Sequence, residues 1–365
     1  MIVLVQVGNL GSSVIDRLIR PLAQAGVCRV LLICRHPGPN IPQIEYYCPP
    51  KFIAKFAPIA VVHEFFTLIY LTFFKRPNCI SGYHLFPHGV TAFIIAKLTR
   101  RPVIISLIAG PIEVENPLRG ILRQTSPWVG KIFLKILDHS NAVITTGSFT
   151  RAFLIRQGLE ESKIYPITGI SPPNDCRVRF IELPKLYDVV SVSRLSPEKH
   201  IEVLVRAVSK VRENYENIKV CIVGDGPCRT ELENLADELR LNNNIDFIGF
   251  KQDVAYYYNS SKIFVLTSER EGSPTTFLEA MMCGIPSVVS NCGDITDIAR
   301  DGFNCLVIQK YDDYEGFARA IIRLLEDEEL YRMLAQNALE TAKALPIEKA
   351  IEAWQSLLDG LGIYK

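Results

Sequence analysis

The sequence predicts an α/β protein of two domains, each a parallel sheet flanked by helices, facing one another across a cleft. Three observations carry this. Short apolar runs alternate with helical stretches along most of the chain, and strand–helix–strand units at that spacing require parallel sheets. The 365 residues, 48% of them hydrophobic, suffice for two substantial cores. A polar, proline-containing stretch, Thr168-Gly-Ile-Ser-Pro-Pro173, interrupts the alternation and is the natural hinge. The expected division is residues 1–170, residues 171–345, and a tail, 346–365, that crosses back over the first half, which lacks a closing element.

Composition removes several function classes. With 40 basic against 39 acidic side chains there is no polyanion footprint, so nucleic acid is not an expected partner. Ten cysteines occur without a C-x-x-C pair, and several lie inside apolar runs, which reads as reduced, buried thiol and not a disulfide framework. The opening Met1-Ile-Val-Leu-Val-Gln-Val reads as a first strand, not a signal peptide. No segment is expected to cross a membrane. The best candidate, Phe52 to Phe74, carries Lys55, His63 and Glu64, and its uncharged run from Phe65 is short of the roughly 20 residues a span needs.

In the first half, Val3 to Val7 is a strand, Val14 to Ala25 a helix and Val27 to Cys34 a second strand. Gly11 between the first two lets a phosphate approach the backbone, or simply makes a turn. Pro37 to Pro50 is a proline-rich loop. The aromatic stretch from Lys51 to Arg76 is bounded by Lys51, Lys55, Lys75 and Arg76. It reads as a core helix, the plainer expectation, or as a membrane-surface element admitting a lipid-linked substrate, a reading to which the cationic, apolar segment Leu118 to Lys135 adds a little support. His84 and His88 lie in a loop before the helix Val90 to Leu98, placed to contact an acceptor hydroxyl or phosphate; with no third ligand nearby they do not make a metal site. Val103 to Leu107 is a strand, and Glu113 and Glu115 follow its end, where such sheets bind ligands; solvated loop acids are the plainer expectation for both. Ala142 to Thr145 is a strand, a helix runs from Ser148 to Gln157, and Ile164 to Ile167 is a short strand.

In the second half, the strand Tyr187 to Val192 runs into Ser193-Arg-Leu-Ser-Pro-Glu-Lys-His200 and a helix to Val211. Ser196 and Pro197 suit an N-cap and first helical turn, which places Arg194 and Lys199 at the positive end of a helix. Two cations there make sense if an anion such as a diphosphate binds between them. After the strand Lys219 to Val223, Gly224 and Gly226 permit a close backbone approach, although neither a dinucleotide fingerprint nor a P-loop is formed. Phe250, just past the strand Ile245 to Ile248, suits stacking on a base or packing in the core. The strand Ile263 to Leu266 then ends in a polar loop. Ser273 caps and Pro274 opens a helix to Cys283, and Ser287 to Val289 is the next strand. Three helices close the chain: Asp312 to Leu325, Glu328 to Lys343, and Ile347 to Leu358 with Trp354 on its apolar side.

Glu271 precedes the helix that starts at Pro274, and Glu279 lies within it. Carboxylates accept strong hydrogen bonds from sugar or ribose hydroxyls. Charge developing on a leaving diphosphate suits Arg194, Lys199 and the backbone N–H groups of Thr275 and Thr276. No Asp-x-Asp follows a strand, so leaving-group stabilisation without a metal is expected. A paired-carboxylate hydrolase is the competing reading, disfavoured because both acids lie on one strand–loop–helix unit beside a cationic pocket.

The run Glu271-Gly-Ser-Pro-Thr-Thr-Phe-Leu-Glu279, continuing to Ser290, resembles the glutamate–seven residues–glutamate motif of the retaining GT-B glycosyltransferases of family 4, also called glycosyl transferases group 1. Ser193-Arg-Leu-Ser-Pro-Glu-Lys199, Val223-Gly-Asp-Gly-Pro227, Ile248-Gly-Phe250 and Asp301-Gly-Phe-Asn-Cys-Leu-Val307 extend the resemblance over about residues 187 to 345. It implies two Rossmann-like domains, with a nucleotide-sugar donor held mainly by the C-terminal one. By that resemblance Arg194 and Lys199 clamp the diphosphate, Glu279 binds ribose and Glu271 the donor sugar. Gly272, Ser273, Thr275 and Thr276 lend backbone N–H groups, Pro274 opens the helix that presents them, Gly224 and Phe250 line the donor site, and Gly11 and Ser12 close over the phosphates. The acceptor, a glycan or lipid-linked molecule, falls to the N-terminal half with His84, His88 and Glu113. The implied outcome is transfer with retention by front-face attack, without cofactor or metal, in the cytoplasm and peripheral to the inner membrane face. The chain departs from the pattern in three places. Ile108 stands where many relatives have a histidine, Gly11-Ser12 replaces a Gly-Gly loop, and Thr296 replaces a common glutamate. The alternatives are a non-catalytic sugar or nucleotide-sugar binding protein of the same fold and a sugar-nucleotide hydrolysing or epimerising enzyme.

Overall fold

A computed structural model describes residues 2–8, 10, 15–26, 29–118, 125–167, 178–272, 275–345 and 347–363. The chain divides into two compact units, Met1–Pro173 with Pro346–Lys365, and Asn174–Leu345.

The strands of the first unit are β1 (Val3–Val7), β2 (Arg29–Ile33), β3 (Ile44–Tyr47), β4 (Cys79–Tyr83), β5 (Val103–Leu107), β6 (Ala142–Thr145) and β7 (Ile164–Pro166). They pair in parallel in the order β3-β2-β1-β4-β5-β6-β7. Two of them depart from the sequence expectation. β3 lies inside the stretch read as a proline-rich loop; it is a short, half-exposed edge strand with a glutamate in it. β4, just ahead of the loop that carries the histidines, has no counterpart in the sequence expectation, because Ser81 and Gly82 dilute its apolar signal. Gly82 is required there: a Cβ would stand 2.7 Å from Gly89 Cα and 2.8 Å from the His88 carbonyl oxygen.

Both faces of this sheet are covered, as a parallel sheet requires. The helices Ala57–Phe74, Val90–Leu98, Pro127–Asp138 and Ser148–Arg156 pack on one face through side chains such as Leu68, Ile95, Phe133 and Leu154. On the other face lie the turns Ile15–Ile19 and Arg20–Gln24 and the final helix Ile347–Gly360, whose Trp354, Leu357 and Leu358 are fully buried.

The second unit repeats the plan with β8 (Tyr187–Val192), β9 (Val220–Val223), β10 (Ile245–Gly249), β11 (Ser261–Leu266), β12 (Ser287–Ser290) and β13 (Leu306–Ile308). Again all pairings are parallel, in the order β10-β9-β8-β11-β12-β13. The core between sheet and helices draws on Leu204, Val208, Val265, Phe317 and Ile321. Asp313 and Asp327 cap the helices Tyr314–Glu326 and Glu328–Lys343 by accepting from the backbone N–H groups of Gly316 and Leu330. The helix expected from Ser196 begins later. Pro197–Lys199 forms a tight 3-10 turn, His200 adopts a left-handed φ of 46°, and the α-helix runs Ile201–Arg212.

In both sheets the chain builds outward from the first strand in one direction and then returns to build in the other. The order therefore reverses beside β1 and β4 in one unit and beside β8 and β11 in the other. Loops leaving the carboxyl ends of such strand pairs diverge and open a crevice, the usual ligand position of these sheets.

Candidate functional site

The reversal in the second sheet brings together the two loops that the sequence singled out. β8 ends at Val192 and leads into Ser193–Lys199; β11, its parallel neighbour, ends at Leu266 and leads into Thr267–Gly272. Hydrogen bonds to backbone carbonyls lock one loop to the other. Thr267 Oγ1 donates to the Lys199 carbonyl at 2.9 Å, and Glu269 N donates to the Glu198 carbonyl at 3.0 Å. From β12, Ser290 Oγ donates to the Ser268 carbonyl at 2.5 Å. Gly293 presses on the same loop: at φ 54°, a Cβ would stand 1.9 Å from the Glu271 carbonyl oxygen, which also accepts from Asp294 N at 3.2 Å.

That scaffold holds an ion pair that joins the two loops. Lys199 Nζ donates to Glu271 Oε1 at 2.6 Å, and Ser268 Oγ donates to the same oxygen at 2.7 Å. The lysine side chain is 20% and the carboxylate 10% exposed, so both groups are largely but not wholly withdrawn from water. Arg194 is placed differently. Its side chain is 69% exposed and donates through Nη2 to Glu198 Oε1 at 2.7 Å and through Nε to Ser196 Oγ at 3.2 Å. Ser196 Oγ donates to that same Glu198 oxygen at 2.8 Å, in place of capping the helix. Burial disfavours the charged form of Glu198, but its own backbone N–H, Arg194 and Ser196 together outweigh that and hold its pKa down at about 2. Each of the two cations thus faces a carboxylate of the same unit.

The other expected donor-side residues are placed as follows. Gly224, at φ 144°, and Gly226 pack on the Ser193–Leu195 turn: Cβ atoms would stand 1.8 Å from the Ser193 carbonyl and 2.2 Å from the Leu195 carbonyl. The close approach that these glycines allow is to the cation-bearing turn. Glu279 is partly exposed on the helix Thr275–Met282, and Tyr258 Oη donates to its Oε2 at 3.0 Å. Tyr258 is fully buried, and burial followed by the Glu279 charge pushes its hydroxyl well above the ordinary phenol range. Phe250 is 76% exposed, which removes the core reading of that ring. Gly272 is buried, and Thr275 and Thr276 open the helix. Ser273, Pro274, Gly11 and Ser12 lie outside the described residues.

In the first unit, β4 ends at Tyr83, so His84 stands at the reversal beside β1. Its Nδ1 lies 3.0 Å from Glu113 Oε1. Glu113 is not the solvated loop acid expected. It is 6% exposed and accepts from the backbone N–H groups of Ile108 at 2.8 Å, Ala109 at 2.6 Å and Leu85 at 2.6 Å. Burial works against its charge, but His84 and these N–H groups prevail and hold its pKa below the usual carboxylate value. Glu115 is exposed, as a loop acid should be. His88 is corrected too: it is 5% exposed, and its Nε2 lies 2.9 Å from Glu64 Oε2, so it serves the interior.

Sequence reasoning passed over Ser268, Tyr258 and Gly293. Ser268 carried a weak signal, three residues before Glu271 in a polar loop. Tyr258 sits among Tyr256 and Tyr257, and spacing does not distinguish it. Among the described residues, no group of three or more His, Cys, Asp or Glu side chains is arranged to hold a metal ion.

Residues 179–341 match the family model described as glycosyl transferases group 1. An uncharacterized glycosyltransferase of Haemophilus influenzae is 30% identical over 205 residues, covering 54% of this chain and 57% of that protein. The UDP-Gal:alpha-D-GlcNAc-diphosphoundecaprenol alpha-1,3-galactosyltransferase of Escherichia coli is 25% identical over 355 residues, covering 89% and 87%. Against several curated relatives the match spans only about half their length, as for N-acetyl-alpha-D-glucosaminyl L-malate synthase of Bacillus anthracis at 44%. Among solved structures, sucrose-phosphate synthase from Thermosynechococcus elongatus superposes with a TM-score of 0.78 at 19% identity over 100% of both chains. Anabaena HepE in complex with UDP-glucose gives 0.77 at 17% identity, covering 98% of this chain and 100% of that one. With two parallel, Rossmann-ordered sheets and these superpositions the chain has the GT-B fold, and its residues 179–341 carry the match to the glycosyl transferases group 1 family.

Proposed function

We propose that this protein transfers a sugar, with retention, from a nucleoside-diphosphate sugar to a hydroxyl of a glycan or lipid-linked acceptor. The observation that carries the reading is the Lys199–Glu271 pair, held at the strand-order reversal of the second sheet. In this reading the donor binds to the second unit, residues 171–345, and the diphosphate takes Lys199 and Arg194 as partners. Each cation then exchanges or shares a carboxylate for a phosphate, which keeps its charge compensated before and after binding. As the sugar–phosphate bond breaks, charge grows on the leaving diphosphate. Fixed cations and the N–H groups at the start of the helix Thr275–Met282 meet that charge without rearranging. Glu271, fixed through its backbone, faces the donor sugar, and Glu279 takes the ribose hydroxyls. Phe250, being exposed, is free to stack on the base. The first unit, residues 1–170 with the helix of 346–365, takes the acceptor, with His84 held by Glu113 on that side. The working location is the cytoplasmic side, at a membrane surface.

The experiment is a donor screen by thermal shift, followed by mass detection of product with candidate acceptors. Glu271→Ala and Lys199→Ala are each expected to lower transfer by roughly 100-fold or more. Wild-type transfer rates in both variants would sink the assignment. Donor binding with no transfer to any acceptor class would leave a non-catalytic sugar-nucleotide binder as the reading.

A further inference from the structure

The helix Ala57–Phe74 is apolar on two opposite faces. Its inner face, with Ala60, Glu64, Leu68 and Leu71, is buried on β1 and β2. Its outer face carries Ile59, Val62, Phe66, Tyr70 and Phe73, each between 51 and 63% exposed. Steps of three and four residues put these five on one stripe, about 21 Å long at 1.5 Å per residue. A helix covering the sheet of a soluble domain ordinarily turns polar groups outward. Here Glu64, the helix's one acid, points inward to His88, and the exposed charges at the two ends are Lys55, Lys75 and Arg76.

The neighbouring helices continue the pattern. Val90–Leu98 and Pro127–Asp138 pack on the same face of the sheet. They expose Ile94, Leu98, Trp128 and Ile132. Lys97, Lys131 and Lys135 stand exposed among them, with Asp138 the acid at the end of the second helix. Exposed apolar side chains and cations thus share three helices that cover the same face of the sheet.

By length and composition alone the 18-residue helix Ala57–Phe74 is apolar enough to cross a membrane. Its inner face and its Glu64–His88 pair are committed to the sheet, so it is built to lie on a bilayer. We propose that this face of the first unit docks on an anionic lipid surface. The stripe enters the boundary between head groups and acyl chains, and the flanking lysines and arginine reach the lipid phosphates. The aromatic rings suit that boundary, being apolar and broad. The docking does not depend on the transfer reaction, and it is tested without it.

The test is flotation of the full chain with phosphatidylcholine vesicles and with vesicles also containing phosphatidylglycerol, at low and high salt. The chain is expected to float with the anionic vesicles, less so in high salt. The variant F66S/Y70S/F73S, altered only at exposed side chains, is expected to lose partitioning by about tenfold or more while keeping its melting temperature. K75E/R76E is expected to lose the preference for anionic vesicles. Wild-type protein that stays at the bottom with both vesicle types overturns the proposal. So does a triple-serine variant that floats like wild type. A concentration-dependent dimer, abolished by the same serines and without flotation, also overturns it and assigns the face to a second copy of the chain. A chain that floats but transfers no sugar leaves the docking intact and removes only the catalytic reading.

Discussion

Lys199 and Glu271 lie 72 positions apart and meet at 2.6 Å, and each was singled out in the sequence by its neighbours, not by the other. Glu113 shows the opposite case. Nothing local separates it from Glu115, yet one is buried and accepts three backbone N–H bonds while the other is exposed. Burial is a long-range property, set here by β4 bringing Leu85 and His84 alongside. Glu113→Gln is expected to lower stability by about 2 kcal/mol at neutral pH, because an amide meets the three N–H donors less well than a carboxylate. The native pKa of Glu113 is depressed, so its contribution is fully present above the ordinary carboxylate value. It is lost as pH falls through the depressed native value. The urea midpoint of the wild type should therefore drop steeply on acidification, and that of the glutamine variant less so. Parallel acid limbs would remove Glu113 as their source.

At the scale of elements, the helices were the most legible. Their caps and periodicity are local, and those around Phe317 and Leu334 form where the pattern placed them. β3 and β4 were not legible, since an edge strand with a glutamate and a strand with Ser-Gly show no clean period. The loop that carries Glu271 also depends on an element distant in sequence. Gly293 abuts the Glu271 carbonyl, whereas Gly302, also at positive φ (69°), has nothing within 4 Å of a Cβ position. Gly302→Ala should cost only the left-handed backbone term, about 1 kcal/mol. Gly293→Ala should cost more than that and, by displacing the Glu271 loop, abolish most transfer. Equal melting temperatures and equal rates for the two variants would show that the contact is not what positions Glu271.

For the whole molecule, the tail is the sharpest test of domain organisation. Trp354, Leu357 and Leu358 are buried in the first unit, although the chain has by then passed through the second. Ending the chain at Leu345 removes all three, at about 1.5–3 kcal/mol each. Calorimetry should show the first unit melting at a clearly lower temperature and the second unit nearly unchanged, with nucleotide-sugar binding to the second retained. A single transition shifted as a whole would contradict the independence of the two units.

What the sequence determined by itself was the alternation of strands and helices and the residue types of the loops around Arg194, Lys199 and Glu271. Those rest on propensity, capping and motif spacing, all of which act over a few residues. Only the tertiary structure decided the strand order, and with it which loops meet at the reversal of each sheet. It also decided that the cations at Arg194 and Lys199 are each matched by a carboxylate, and that a histidine and a glutamate 29 positions apart form a pair. The reason is physical: pairing between parallel strands and burial of charge depend on residues far apart in the chain, and no window of neighbours contains them.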